Sequence, residues 1–71
     1  MVNVNKLKGK FVEKGYSVSQ ISNGTGIAVH TLYRRLNNPC EFTIGEADMI
    51  VNFLKLTAAE ATDIFFNQYV A

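Results

Sequence analysis

Apolar side chains in this chain recur three and four residues apart, in blocks separated by glycine, proline or hydroxyl-bearing residues, and nowhere alternate over a useful length. That period belongs to helices buried along one face, so the pattern predicts an all-α protein. The first block spans 4–14. Leu7, Phe11 and Val12 make its expected inward face, Lys6, Lys10 and Lys14 recur on another, Asn3 stands at the cap and Gly15 ends it. Three later blocks begin alike: Ser17 is followed three residues on by Gln20, Thr43 by Glu46 and Thr57 by Glu60. In such a capping box the hydroxyl and the N3 side chain accept from each other's backbone amides, satisfying donors that the first turn leaves unpaired. Tyr16, Phe42 and Leu56 precede the boxes and can staple against Ile21, Ala47 and Ala61.

The other boundaries follow from breakers. A second helix is predicted over 18–24 with Ile21 inward, followed by Gly24, Thr25 and Gly26, a turn that can supply positive φ at a glycine. A third spans 28–37 with Leu32 and Leu36 inward, and stops at Asn38 because the residue before Pro39 disfavours the helical region. A fourth, 44–54, buries Ala47, Ile50, Val51 and Leu54; a fifth, 58–66, buries Ala61 and one of Ile64 and Phe65. Residues 1–71 have room for a single core and are expected to form one domain.

Composition narrows the setting. An apolar content of 48 % suits a globular chain. Cys40 has no second cysteine to pair with, so packing and caps must stabilise the fold, and a free thiol points to a reducing, cytoplasmic setting. No segment approaches the roughly 18 apolar residues of a membrane span, and no signal-peptide core follows the N-terminal charges. A cytoplasmic protein with no membrane partner is expected. Net charge is only +1, but residues 1–38 carry six basic side chains against one acidic, and residues 39–71 one basic against five acidic. Such polarity suits approach to an anionic partner through the first half.

Ser17 to Leu36 is two short helices around a glycine-containing turn, and the second carries His30, Tyr33 and Arg34 on one outward stripe. That is the layout of a helix-turn-helix, in which the second helix enters the major groove of DNA. Over almost its whole length the chain resembles the Cro/CI-type (XRE-like, lambda-repressor-like) DNA-binding domains. Ile21, Ser22, Gly26, Ile27 and Leu32 carry the resemblance in the bihelical unit. The run from Thr31 to Pro39, then Phe42, Thr43, Glu46, Leu56, Thr57, Glu60, Ile64, Phe65 and Phe66, looks like a subgroup found in Gram-positive prophages. The resemblance implies a five-helix domain, with no cofactor, that regulates transcription in a phage lysis–lysogeny switch. At this size it implies either a Cro-like operator-binding repressor, acting as a homodimer, or an antirepressor (modulator of repression) whose partner is the phage CI-type repressor.

Carried over residue by residue, the family pattern makes Val29, His30, Tyr33 and Arg34 groove-facing and brings Asn37 near the DNA backbone. Arg34 is suited to a bidentate guanine contact or to a phosphate. Val29 fits a thymine methyl or a dry protein interface. Ser17 and Gln20, at the start of the second helix, sit where that helix meets a phosphate, although a capping box alone explains both. Two departures weaken a DNA reader: Ala28 replaces the usual capping Ser or Thr, and the stripe begins with apolar Val29. The same helix would instead mate with the repressor, since Arg and Tyr also dominate protein interfaces. Met49, Phe53, Phe66 and Tyr69 are candidates for a further partner surface, or else for the base of the core. Catalysis is not expected. Gly24 and Gly26 lack the motif of a phosphate loop, His30 lacks ligand or triad companions, and Cys40 has no adjacent base.

Overall fold

Each helix begins where a side chain accepts from its first-turn amides, with one exception. The computed structural model describes residues 2–66, and among these the chain forms α1 (Val4–Lys14), α2 (Val18–Thr25), α3 (Val29–Asn37), a 3-10 turn (Pro39–Glu41), α4 (Ile44–Leu54) and α5 (Ala58–Phe65). Asn3 Oδ1 accepts from the Lys6 amide at 3.1 Å. All three capping boxes close, at Ser17 with Gln20, Thr43 with Glu46 and Thr57 with Glu60. Stops are equally local: Gly15 and Gly26 take left-handed φ of 78° and 81°, and Asn38 is extended before Pro39. Lys55 closes α4 at φ 55° without being glycine, a strained choice for a residue with a β-carbon.

The exception is α3, where Ala28 stands at the N-cap and supplies no side-chain acceptor. Its φ of −60° and ψ of 145° already suit a capping residue. Ala28→Ser is therefore expected to stabilise the protein by about 1 kcal/mol, seen as a rise of roughly 4–8 °C in melting temperature. An unchanged melting curve would show that solvent already serves those amides as well.

The core gathers one or two residues from every helix: Leu7 and Phe11 of α1, Ile21 of α2, Leu32 and Leu36 of α3, Ile50 and Leu54 of α4, with Ile27 and Leu56 from the connecting turns. From α5 both Ile64 and Phe65 are buried, where only one of the two is expected beside Ala61, which is itself half-buried. Phe65 lies edge-on to Phe42, ring centres 6.0 Å apart, and so closes the base of the core. α2 packs on α3 and α4, α3 on the 3-10 turn, and α1 on α4 and α5, which among the described residues leaves one long face of α3 exposed. Val12 departs from the expected inward face. It is 81 % exposed, because α1 meets its neighbours along the narrower Leu7–Phe11 line.

The two charged halves of the sequence pair with each other. Lys6 of α1 meets Asp63 of α5 at 2.7 Å, and Lys10 meets Glu60 at 2.6 Å and Glu13 at 3.3 Å. Arg35 of α3 donates to Glu46 of α4 at 2.9 and 3.2 Å and to Glu41 at 3.2 Å. Half of the expected basic field, Lys6, Lys10 and Arg35, is thus neutralised within the molecule, while Lys8, Lys14 and Arg34 join no ion pair among the described residues. Glu60 also accepts from the Thr57 amide, and these partners, Lys10 first, hold its carboxyl down at about 2. Arg35 likewise lowers Glu46.

A carboxylate with a depressed pKa adds stability that is complete above its unfolded value, near 4.5, and lost as pH falls through the folded value. Melting temperature should therefore drop between about pH 4.5 and 2. In Lys10→Met that decline should be shallower. On the alkaline side Lys10, raised by the same pair, supports the fold below its ordinary 10.5 and loses that role above it. An acid limb identical in Lys10→Met would remove the Lys10–Glu60 pair as its cause.

Candidate functional site

α3 is the element that the fold leaves open. Leu32 and Leu36 anchor it to the core, and the helical repeat then turns Val29, His30, Tyr33, Arg34 and Asn37 outward. Tyr33 is 53 % exposed and Val29 37 %. Among the described residues, none of these five side chains hydrogen-bonds to the rest of the chain or joins an ion pair. Arg35, one position on, is held by Glu41 and Glu46, so it steadies α3 against α4 and is not offered to a partner. The permanent charge on the open face is that of Arg34.

The start of α2 lies beside this face. Ser17 lines the same groove as Tyr33 and Asn37, so three of the expected contact residues are brought together. Gln20 is exposed, with its amide oxygen bonded to the Ser17 amide at 2.8 Å. The capping boxes of α4 and α5 place a carboxylate at N3, whereas that of α2 places a neutral amide there. The positive end of α2 is consequently not offset by a charge of its own.

The groove is a feature that the sequence pattern does not single out. It runs between α1 and α3, has a volume of about 340 Å³, and is based on the buried Phe11 and Leu36. Val12, Val18 and Tyr33 wall it, and Lys8 and Asn37 stand at the rim. Lys8 is the contact candidate that sequence reasoning missed. Its signal was available in principle: it precedes Val12 by one helical turn, so it follows Val12 to whichever side that residue faces.

The other interface candidates separate. Phe53 is half-buried, and its ring lies across Gly24 and against Tyr16, ring centres 4.8 Å apart. It fastens α4 to α2 and is not a free surface residue. Met49 is exposed on α4. Phe66 is also exposed, in a different hollow that it shares with Val2, Phe42 and Ile44, the last 84 % exposed. Tyr69 lies outside the described residues. Among the described residues no cluster of three metal-ligating side chains occurs, and no helix is long and apolar enough to cross a membrane. No family model matches the chain, and neither the curated proteins nor the solved structures contain a match to it.

Proposed function

We propose that this chain is a transcriptional regulator of a phage lysis–lysogeny switch, built as a Cro/CI-like helix-turn-helix domain, that acts in the bacterial cytoplasm by binding a CI-type repressor through α3. The observation that carries the reading is the open stripe of Val29, His30, Tyr33, Arg34 and Asn37, whose side chains have no hydrogen-bond or ion-pair partner among the described residues, while the adjacent Arg35 is engaged by Glu41 and Glu46. A surface held rigid by a packed helix and left unsatisfied is suited to meeting another macromolecule.

A protein is favoured over DNA by the character of that stripe. Operator binding draws on many phosphate contacts, each supplied by a cation or a donor aimed outward. Here Lys6, Lys10 and Arg35 are paired at home, and Val29 and Tyr33 present apolar surface. Arg and Tyr beside apolar contacts are typical of protein hot spots. The rival reading is a Cro-like homodimer that binds operator DNA directly. It draws on Arg34 for base contact and on the hollow around Ile44 and Phe66 for dimerisation.

Titration of the purified protein against operator DNA, with and without repressor, separates the two. The proposal expects a stoichiometric complex with repressor, loss of repressor from its operator, and about tenfold weaker association for Arg34→Ala. Operator binding by the protein alone, falling steeply with salt and abolished by Arg34→Ala, would instead establish the Cro-like reading. Binding to neither would remove both.

A further inference from the structure

We infer that the groove between α1 and α3 seats an apolar side chain from an amphipathic helix of the protein partner, with a carboxylate of that helix paired to Lys8. The inference rests on the reading of α3 as a protein-binding surface and specifies what the partner must bring. Phe11, Val12, Val18, Tyr33 and Leu36 give the groove an apolar lining, and its volume of about 340 Å³ lies within the range of sites that hold an apolar group. Two of those residues, Val12 and Tyr33, are left largely in water, which the fold does not require of them.

The charge pattern of α1 identifies the second half of the ligand. Lys6 and Lys10 are both neutralised by α5, whereas Lys8, between them in sequence and at the groove rim, meets no carboxylate among the described residues. An apolar slot with one unpaired ammonium at its edge is complementary to an apolar side chain next to an Asp or Glu. Duplex DNA would satisfy Lys8 with a phosphate but would leave the slot unfilled. A second copy could offer Met49 beside Asp48, both exposed on α4, and dependence on protein concentration separates that occupant from a partner helix.

The test uses the full chain, followed by two-dimensional amide NMR. The probes are two synthetic amphipathic helices of about 14 residues, identical except that the residues flanking a leucine pair are Glu in one and Lys in the other. The acidic helix is expected to shift the amides around Phe11, Val12, Tyr33 and Leu36 and to bind at least about fivefold more tightly than the basic one. Lys8→Glu should invert that preference, and Val12→Gln should weaken both helices. Both positions are exposed, so neither change touches the core.

Equal binding of the two helices, or shifts confined to other surfaces, would overturn the inference. So would concentration-dependent self-association that Lys8→Glu removes, or groove shifts produced by duplex DNA and by neither peptide. Repressor binding that is undiminished in Lys8→Glu and Val12→Gln would reject the groove while leaving the role of α3 intact. Loss of repressor binding by the unaltered protein, with the acidic helix still seated, would do the reverse.

Discussion

Gly24→Ala is expected to destabilise the protein by about 1–3 kcal/mol, against the usual preference for alanine within a helix. Gly24 sits in the last turn of α2 with ordinary helical φ, so backbone strain is not the reason. A β-carbon there would run into the Phe53 ring, which itself lies tilted against Tyr16. The ring would have to leave that contact, loosening α4 from α2 and opening the Tyr16 side of the core. In a Phe53→Ala background the obstacle is gone, and the same Gly24→Ala change should stabilise by roughly 0.5–1 kcal/mol. Thermal or urea unfolding of the four proteins checks the reversal. A higher melting temperature for Gly24→Ala alone would show that the ring swings aside without loss.

If α3 binds a CI-type repressor as proposed, Tyr33→Asp should weaken that complex by at least about thirtyfold, equivalent to roughly 2 kcal/mol. Tyr33 belongs both to the open stripe of α3 and to the wall of the groove, so one substitution removes aromatic contact from the two together. The new carboxylate would also repel the acidic group that Lys8 attracts. Stability should change by less than about 1 kcal/mol, because the side chain is more than half exposed and makes no hydrogen bond among the described residues. Calorimetric titration together with a melting curve separates the two effects. Unchanged affinity would place the binding surface elsewhere, whereas a large fall in melting temperature would mark Tyr33 as part of the fold.

What was legible in the sequence is what is decided locally. A capping box, a left-handed glycine and a residue before proline act within four positions, so the predicted and observed helices agree to within one residue at every end. The outward stripe of α3 was legible for a related reason. Leu32 and Leu36 fix the inward side, and the repeat assigns the rest. Distant partnerships were not legible. Val12 lies about 100° round the helix from Phe11, at the edge of the inward stripe, so only the placement of neighbouring helices decides whether it is covered. Phe53 looked free because its neighbour across the helix packing is Gly24, and a missing side chain leaves no mark in an apolar pattern. The pairing between the two charged halves was hidden for the same cause. Counting charges along the chain does not reveal that Lys10 and Glu60, fifty positions apart, sit 2.6 Å from one another.

The carboxylates of Glu46 and Glu60 have a consequence for how the molecule comes apart. Each holds the first turn of its own helix through a backbone amide and is gripped at the same time by a cation from another helix, Arg35 or Lys10. Winding of those turns and assembly of the tertiary structure are thereby joined at single functional groups. Fraying at the start of α4 or α5 therefore also costs a contact with α3 or α1, and undocking strips the frayed end of its organiser. Local and global opening share these two groups.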